Sequence, residues 1–136
     1  MMRLIGVDEI HVGTAIGKLV GTKKEVVGIA DMLRSPRVEP GTMLEQDWAG
    51  IKSVLPVSSG GLHPGLVPHV MHILGNDCTL LVSGGIHGHP KGTRAGAAAV
   101  MQAIEATMDG IDLKQYAVNH KELKQALEKW EYFKPR

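Results

Sequence analysis

Residues 11–21, HVGTAIGKLVG, bring one histidine, three glycines and one lysine together directly after an apolar run. Glycines let a backbone approach a ligand closely or move, so such a loop could close over an anion with its lysine. A nucleotide P-loop needs four residues between its first glycine and Gly-Lys, and then a Ser or Thr. Here three residues separate Gly13 from Gly17, and Leu19 follows Lys18, so this motif is absent. An anion-binding loop and a solvated surface turn both remain open.

Three apolar segments predict the strands that would position this chemistry. They are residues 2–7 (MRLIGV, leading to His11), 53–57 (SVLPV) and 78–82 (CTLLV), although Pro56 is unusual within a strand. Helical spacing predicts helices over 23–34, about 65–74 and 97–108, and Ser35-Pro36 ends the first of them. A last helix is predicted to carry the stripe Tyr116, His120, Leu123, Leu127 and Trp130. Strand and helix alternate, which favours an α/β fold with a parallel sheet.

Each predicted strand ends in residues suited to binding phosphate. His11 ends the first, residues 59–61 (SGG) follow the second and residues 83–85 (SGG) follow the third. Ligands of such sheets bind at the carboxyl ends of the strands, where backbone N–H groups can cradle phosphate oxygens. The three ends together favour a site for a phosphorylated ligand over three unrelated surface turns.

The composition excludes several classes of protein. A chain of 136 residues predicts one domain and is far shorter than a closed eight-stranded α/β barrel of roughly 250 residues. The net charge of +1, with scattered Lys and Arg, argues against nucleic acid and acidic membranes as partners. Cys78 is the only cysteine, which excludes a disulfide framework. A single cysteine fits a reducing interior, so we expect a cytoplasmic protein, and no apolar run reaches membrane-spanning length.

The chain contains four motifs in the order HVGTAIGKLVG, QDW, VLPVSSGGLHPG and GGIHGHPKGTRAGA. Together they resemble the C-terminal part of the large subunit of ribulose-bisphosphate carboxylase/oxygenase (RuBisCO), and most closely the archaeal form III enzymes. The resemblance implies a partial TIM (β/α)8 barrel. Its last three strand-helix units would span residues 1–112, and a C-terminal helical tail would span residues 113–136. The resemblance covers roughly the last third of a family chain.

The resemblance also implies roles for individual residues. Lys18 matches the lysine of the lid loop that closes over ribulose 1,5-bisphosphate, where it stabilises the carboxylate formed when CO2 adds to the enediol. Ser83 departs from the usual family glycine, so a side chain and a φ restriction are expected to enter a phosphate turn. The implied substrate-binding residues are His11, Ser59, Gly60, Gly61, Ser83 and Gly84.

The remaining histidines do not predict a metal site. His87 and His89 are spaced like a ligand pair, and His69 and His72 lie one helical turn apart, but neither pair has a carboxylate or cysteine nearby. Structural or surface roles are favoured for these histidines. For His63 and His89 we expect packing or hydrogen-bonding roles.

The family's carbamylated lysine and the Asp and Glu that hold magnesium with it match nothing in this sequence. We therefore expect no cofactor site and no carboxylase activity in this chain alone. A partial barrel has two unpaired sheet edges, which predicts a homo-oligomer or docking with a complementary barrel fragment. Three hypotheses remain open: a portion of a carboxylase, a non-catalytic module that binds sugar bisphosphates, and a relic or interaction protein.

Overall fold

The computed structural model describes residues 1–14, 16, 22–41 and 43–130. A parallel sheet with strand order β1-β4-β5 forms the centre, and β2 and β3 pair as a small antiparallel ribbon. The strands are β1 (Glu9–Gly13), β2 (Arg37–Val38), β3 (Gln46–Asp47), β4 (Leu55–Ser59) and β5 (Thr79–Leu81). The helices are α1 (Lys23–Arg34), α2 (Val67–Leu74), α3 (Gly84–His87), α4 (Thr93–Met108), α5 (Leu113–Tyr116) and α6 (Lys121–Lys129), and a 3-10 turn (Pro64–Leu66) precedes α2.

Helix α1 has the predicted bounds because both of its ends are specified locally. The Thr22 hydroxyl accepts the N–H of Glu25 at 3.2 Å, and the Glu25 carboxylate accepts the N–H of Thr22 at 3.0 Å. This reciprocal capping box satisfies N–H groups that have no acceptor within the helix. Ser35 ends α1 in an extended conformation before Pro36, as predicted.

Helices α1 and α2 cover one face of the parallel sheet. The strand residues that alternate toward them include Ile10, Val12 and Leu80. Their shared core also contains Val26, Ala30, Leu33, Val54, Leu62, Val70 and Leu74. A second cluster joins α2 to the later helices through Val67, Met71, Ala103, Ala106, Leu113, Ala117 and Leu123. The opposite face of the sheet has no helical layer among the described residues, so the fold is an α/β fragment and not a closed barrel.

The first predicted strand, residues 2–7, is wrong. Residues 2–6 form turns with Leu4 and Ile5 exposed, and β1 begins only at Glu9. Arg3 explains the difference, since its buried guanidinium donates to the carbonyls of Met32, Ser35, Ile51 and Lys52. This segment is therefore fixed by tertiary contacts at the end of α1, which local apolar composition does not reveal.

The second and third strands were predicted with shifted bounds. Strand β4 lies two residues later than expected, and β5 is shorter than residues 78–82. Pro56 is buried within β4, yet β5 pairs with β4 only from Val57 onwards. The N–H of Leu55 bonds the carbonyl of Asp8, so the adjacent Pro56 nitrogen faces the β5 side before that ladder begins.

The last predicted helix is wrong as a single element. It divides into α5 and α6, and Trp130 follows α6 in an extended conformation. The Tyr116 ring stacks on His120 with centroids 3.9 Å apart, and His120 Nδ1 lies 2.7 Å from the Tyr116 carbonyl oxygen. The helix stops and restarts at this pair. Helix α4 also begins four residues earlier than predicted, at Thr93.

None of the described helices is both long enough and apolar enough to cross a membrane.

Candidate functional site

The carboxyl ends of the three parallel strands lie at one edge of the sheet. In β1, His11 pairs in register with Val57 of β4. Strand β4 ends at Ser59 and β5 at Leu81, and the predicted Ser83–Gly84 turn follows two residues later. The structure thus brings the His11 and Ser59 positions into contact and directs the third turn toward the same edge.

Two polar contacts join neighbouring side chains on the face of the sheet opposite α1 and α2. His11 Nδ1 lies 2.9 Å from Ser59 Oγ, and Thr79 Oγ1 donates to Glu9 Oε1 at 3.1 Å. Val57, whose in-register partners are His11 and Thr79, is only 3% exposed on this face. The sequence did not indicate the bridge between Glu9 and Thr79, because it joins strands 70 residues apart.

The turn after β4 requires glycine at two successive positions. Gly60 has a φ of 115° and Gly61 a φ of 69°, values that side-chain-bearing residues rarely adopt. Since Ser59 immediately precedes them, the bridge to His11 and the glycine turn form one continuous feature. The resemblance assigned substrate contacts to these same residues.

The turn after β5 is the start of helix α3. Ser83 has a φ of −106°, which any residue adopts, so the expected φ restriction at this position is wrong. The Ser83 carbonyl accepts the N–H groups of Ile86 and His87. The preceding N–H groups of Gly84 and Gly85 have no acceptor within α3, as at any helix start.

Helix α3 is held in place by contacts that only glycine permits. A Cβ on Gly85 would lie 2.3 Å from the Leu62 carbonyl oxygen and 2.6 Å from His63 Cα. A Cβ on Gly96 of α4 would lie 2.0 Å from the Ile86 carbonyl oxygen. These close contacts fix α3 against both the segment after Gly61 and helix α4, a constraint on Gly85 and Gly96 that the sequence alone did not single out.

The predicted packing role of His89 is confirmed. The ring is buried, its Nδ1 accepts the N–H of Lys91 at 3.1 Å, and its Nε2 lies 3.0 Å from the Glu122 carbonyl oxygen. His63 packs against Trp130, and partial burial lowers the pKa of its imidazole. In residues 1–14, 16, 22–41 and 43–130, no three or more His, Cys, Asp or Glu side chains are grouped to hold a metal ion.

Lys18 lies outside the described residues. The start of its loop is described at Thr14, whose buried hydroxyl donates to the Ile16 carbonyl at 2.6 Å and accepts the Ile16 N–H at 3.2 Å. The loop therefore leaves β1 from a locally hydrogen-bonded turn beside His11.

Comparison with known proteins identifies relatives of this chain. A family model for the ribulose bisphosphate carboxylase large chain, catalytic domain, matches residues 1–130. Ribulose bisphosphate carboxylase of Methanosarcina barkeri is 47% identical over 133 residues, 96% of this chain and 31% of the relative. That of Methanocaldococcus jannaschii is 50% identical over 131 residues, 94% of this chain and 31% of the relative.

Solved structures show the same likeness. A crystal structure of archaeal RuBisCO matches with a TM-score of 0.88 at 48% identity, covering 97% of this chain and 31% of that one. A dimeric archaeal RuBisCO from Hyperthermus butylicus matches with a TM-score of 0.85 at 45% identity, covering 94% and 30%. An octameric RuBisCO from Pyrococcus horikoshii, in complex with sulfate ion, matches with a TM-score of 0.81 at 43% identity, covering 93% and 27%.

This chain spans about 31% of the length of the curated relatives named above. The family match over nearly the whole chain, the identities near one half and the shared fold agree with the four sequence motifs. The chain belongs to the RuBisCO large-chain family.

Proposed function

We propose that this chain forms the C-terminal portion of a ribulose-1,5-bisphosphate carboxylase/oxygenase large chain and acts within a complete barrel. The contact between His11 and Ser59, continuous with the positive-φ turn at Gly60 and Gly61, supports this most strongly. It joins two strand ends 48 residues apart at the edge where parallel α/β proteins bind ligands.

The proposed roles divide between the two phosphates of the substrate. His11 and Ser59 contact one phosphate and a substrate hydroxyl, since an imidazole and a hydroxyl both form hydrogen bonds to oxygen. Backbone N–H groups bind the second phosphate. They suit an anion because they carry partial positive charge, and no charged side chain has to lose its hydration. The backbone ligands proposed for it are Gly60, Gly61, Ser83 and Gly84.

Lys18 supplies the proposed catalytic contact. When CO2 adds to the enediol, a new carboxylate develops, and an ammonium placed beside it stabilises this charge in the transition state more than it stabilises the bound substrate. Closing the loop excludes water and strengthens the attraction. The lysine therefore lowers the barrier to carboxylation without adding to the binding of the bisphosphate.

The family's magnesium requires a separate set of residues. Magnesium takes oxygen ligands in near-octahedral geometry. In the part of the chain that the structure describes, no group of three or more His, Cys, Asp or Glu is placed to hold a metal. We propose that the metal ligands lie outside this chain, in the rest of the barrel.

A module that binds sugar bisphosphates without chemistry is the second candidate. The observation in its favour is that Gly60, Gly61 and helix α3 reach their conformations within this chain, without other strands. A relative from Pyrococcus horikoshii was solved in complex with sulfate ion, an anion that shares the shape and charge of phosphate. This candidate predicts saturable binding of ribulose 1,5-bisphosphate by the 136-residue chain alone.

A chimera tests the proposal. In it, this chain replaces the matched region of the Methanocaldococcus jannaschii carboxylase, with which it shares 50% identity. We expect ribulose-bisphosphate-dependent CO2 incorporation by the chimera and none by the 136-residue chain alone. Lys18→Met should lower kcat about 100-fold, the loss seen when one donor to a developing negative charge is removed.

Lys23→Met is the matched control, because Lys23 is an exposed lysine at the start of α1 and has no proposed catalytic contact. A folded chimera without activity would contradict the carboxylase proposal, and saturable substrate binding by the chain alone would then favour the binding module. Activity that survives Lys18→Met would refute the role of the lysine.

A further inference from the structure

Trp130, directly after α6, contacts the segments that follow both turns of the candidate site. The Trp130 ring stacks on His63 with centroids 5.8 Å apart and an angle of 14° between the planes. Gly88 is also close to this ring, since a Cβ added to Gly88 would lie 3.2 Å from Trp130 Cζ2. His63 follows Gly61 by two residues, and Gly88 directly follows helix α3. One side chain therefore contacts the segments that continue from both turns.

Neighbouring groups hold Trp130 in this position. The Lys129 ammonium lies 5.1 Å from the centre of the Trp130 ring and donates to the Gly88 carbonyl. A cation over an aromatic face is attracted to the ring. The end of α6 is thus attached to the segment after α3 by a hydrogen bond as well as by packing.

The other end of α6 is anchored independently. The side-chain carbonyl of Gln102, in α4, accepts the N–H of Leu123 at 2.9 Å, and its amide donates to the Glu122 carboxylate at 3.0 Å. Gln102 thereby satisfies an N–H that has no acceptor within α6. His89 binds the Glu122 carbonyl at 3.0 Å. Helix α6 is fixed at its start, so the position of Trp130 at its end is fixed as well.

We propose that Trp130 is a positioning residue that sets the separation between the Gly60–Gly61 turn and the Ser83–Gly84 start of helix α3. It acts through His63 on one side and Gly88 on the other, and it touches no substrate. The inference rests on the proposed function, in which both turns bind the same phosphate. Losing the contact should misalign N–H groups that must converge on one anion, which weakens binding of the bisphosphate more than it slows chemistry.

Hydrogen–deuterium exchange of the 136-residue chain tests the structural half of this proposal. Trp130→Ala should speed amide exchange about tenfold in peptides covering both residues 60–63 and 84–88, because local opening becomes easier. Trp130→Phe keeps an aromatic ring on His63 and should restore slow exchange in both peptides. The control is Tyr116→Ala, which removes the other aromatic–histidine stack of the tail without touching either turn.

Steady-state kinetics of the carboxylase chimera test the functional half. Trp130→Ala should raise the KM for ribulose 1,5-bisphosphate about tenfold with kcat changed less than twofold, and Trp130→Phe should return the KM to near the parent value. Tyr116→Ala should leave both constants unchanged. A merely structural role would lower the amount of active enzyme without changing KM.

The outcomes separate this inference from the proposed function. Equal exchange in Trp130→Ala and Tyr116→Ala, or an unchanged KM in Trp130→Ala, would overturn the positioning role even if the chimera is active. An inactive parent chimera would overturn the proposed function. Faster exchange at both turns would then still support the coupling of the turns through Trp130.

Discussion

The two faces of the parallel sheet differ in what covers them. The face that packs on α1 and α2 carries Ile10, Val12 and Leu80 in a continuous core. The opposite face carries the bridge between His11 and Ser59, together with leucines that remain about half exposed, Leu55 at 43% and Leu81 at 49%. Helices of this chain cover one face, while leucines of the face with the proposed chemistry remain about half exposed. This is what a segment of a larger barrel requires, since its inner face meets other strands.

Adjacent serines in β4 show the same contrast. Ser58 points toward the helices and is buried, and its hydroxyl has no hydrogen-bond partner among the described residues. Ser59 points to the uncovered face and contacts His11. Successive residues of a strand alternate between faces, so one serine lies in the core and the next at the candidate site.

The largest expected effect comes from deleting a leucine side chain on the covered side. Leu74 is 1% exposed within the core of α1 and α2, so Leu74→Ala should lower the free energy of unfolding by about 3 kcal/mol. Leu81→Ala, on the uncovered face, should cost less than about 0.5 kcal/mol. Urea unfolding at one low protein concentration measures both. Equal losses of unfolding free energy in the two variants would show that the two faces are equally packed and would contradict the difference described above.

The substitution Ser58→Ala is expected to change the free energy of unfolding less than Leu74→Ala, and in the opposite direction. Its hydroxyl is buried without a partner in the described part of the chain, so Ser58→Ala should raise the free energy of unfolding by about 1 kcal/mol. Ser59→Ala should leave stability within about 0.5 kcal/mol and weaken binding of ribulose 1,5-bisphosphate by the chimera. Thermal or urea unfolding gives the first comparison. A destabilised Ser58→Ala would mean that this hydroxyl has a bonding role in the core.

The smallest expected effect is a pH dependence from His63. Burial lowers the pKa of its imidazole below the ordinary value of about 6.5, so the folded chain binds this proton less readily than the unfolded chain. Above about pH 6.5 His63 is neutral in both the folded and the unfolded state, so its protonation takes nothing from the free energy of unfolding. As the pH falls toward the lowered pKa, the unfolded state gains protons first and stability decreases.

Unfolding measured at pH 7.5 and pH 5.5 in the parent chain and in His63→Gln checks this sign. Glutamine does not titrate, so the variant should lose less stability between the two pH values. An identical loss in both chains would assign the pH dependence to other groups.

Sequence reasoning succeeded where structure is specified locally. Helix α1 was predicted residue by residue from its helical spacing and the Ser35-Pro36 stop, and the observed cap between Thr22 and Glu25 is equally local. The glycine turn at Gly60–Gly61 was predicted for a similar reason, since positive φ values favour glycine. The motifs also identified the family before any geometry was known, because their order and spacing are specific.

Features that depend on distant contacts were missed. The apolar residues around Arg3 predicted a strand. The sequence does not reveal that Arg3 binds carbonyls 29 to 49 residues away, and these contacts determine the conformation of the segment. The β2–β3 ribbon lies in a polar stretch without a strand pattern. The contact between His63 and Trp130 joins residues from different motifs, and only the fold brings them together.

The most direct test of the account is sedimentation of the 136-residue chain with and without its proposed complement. Analytical ultracentrifugation would compare the chain alone, at micromolar concentration, with the chain co-expressed with the part of the Methanocaldococcus jannaschii carboxylase that it does not match. The account predicts self-association of the chain alone through its unpaired strand edges and the sheet face opposite α1 and α2, and its replacement by a stoichiometric complex when the complement is present. A monodisperse monomer that forms no complex with the complement would contradict the account.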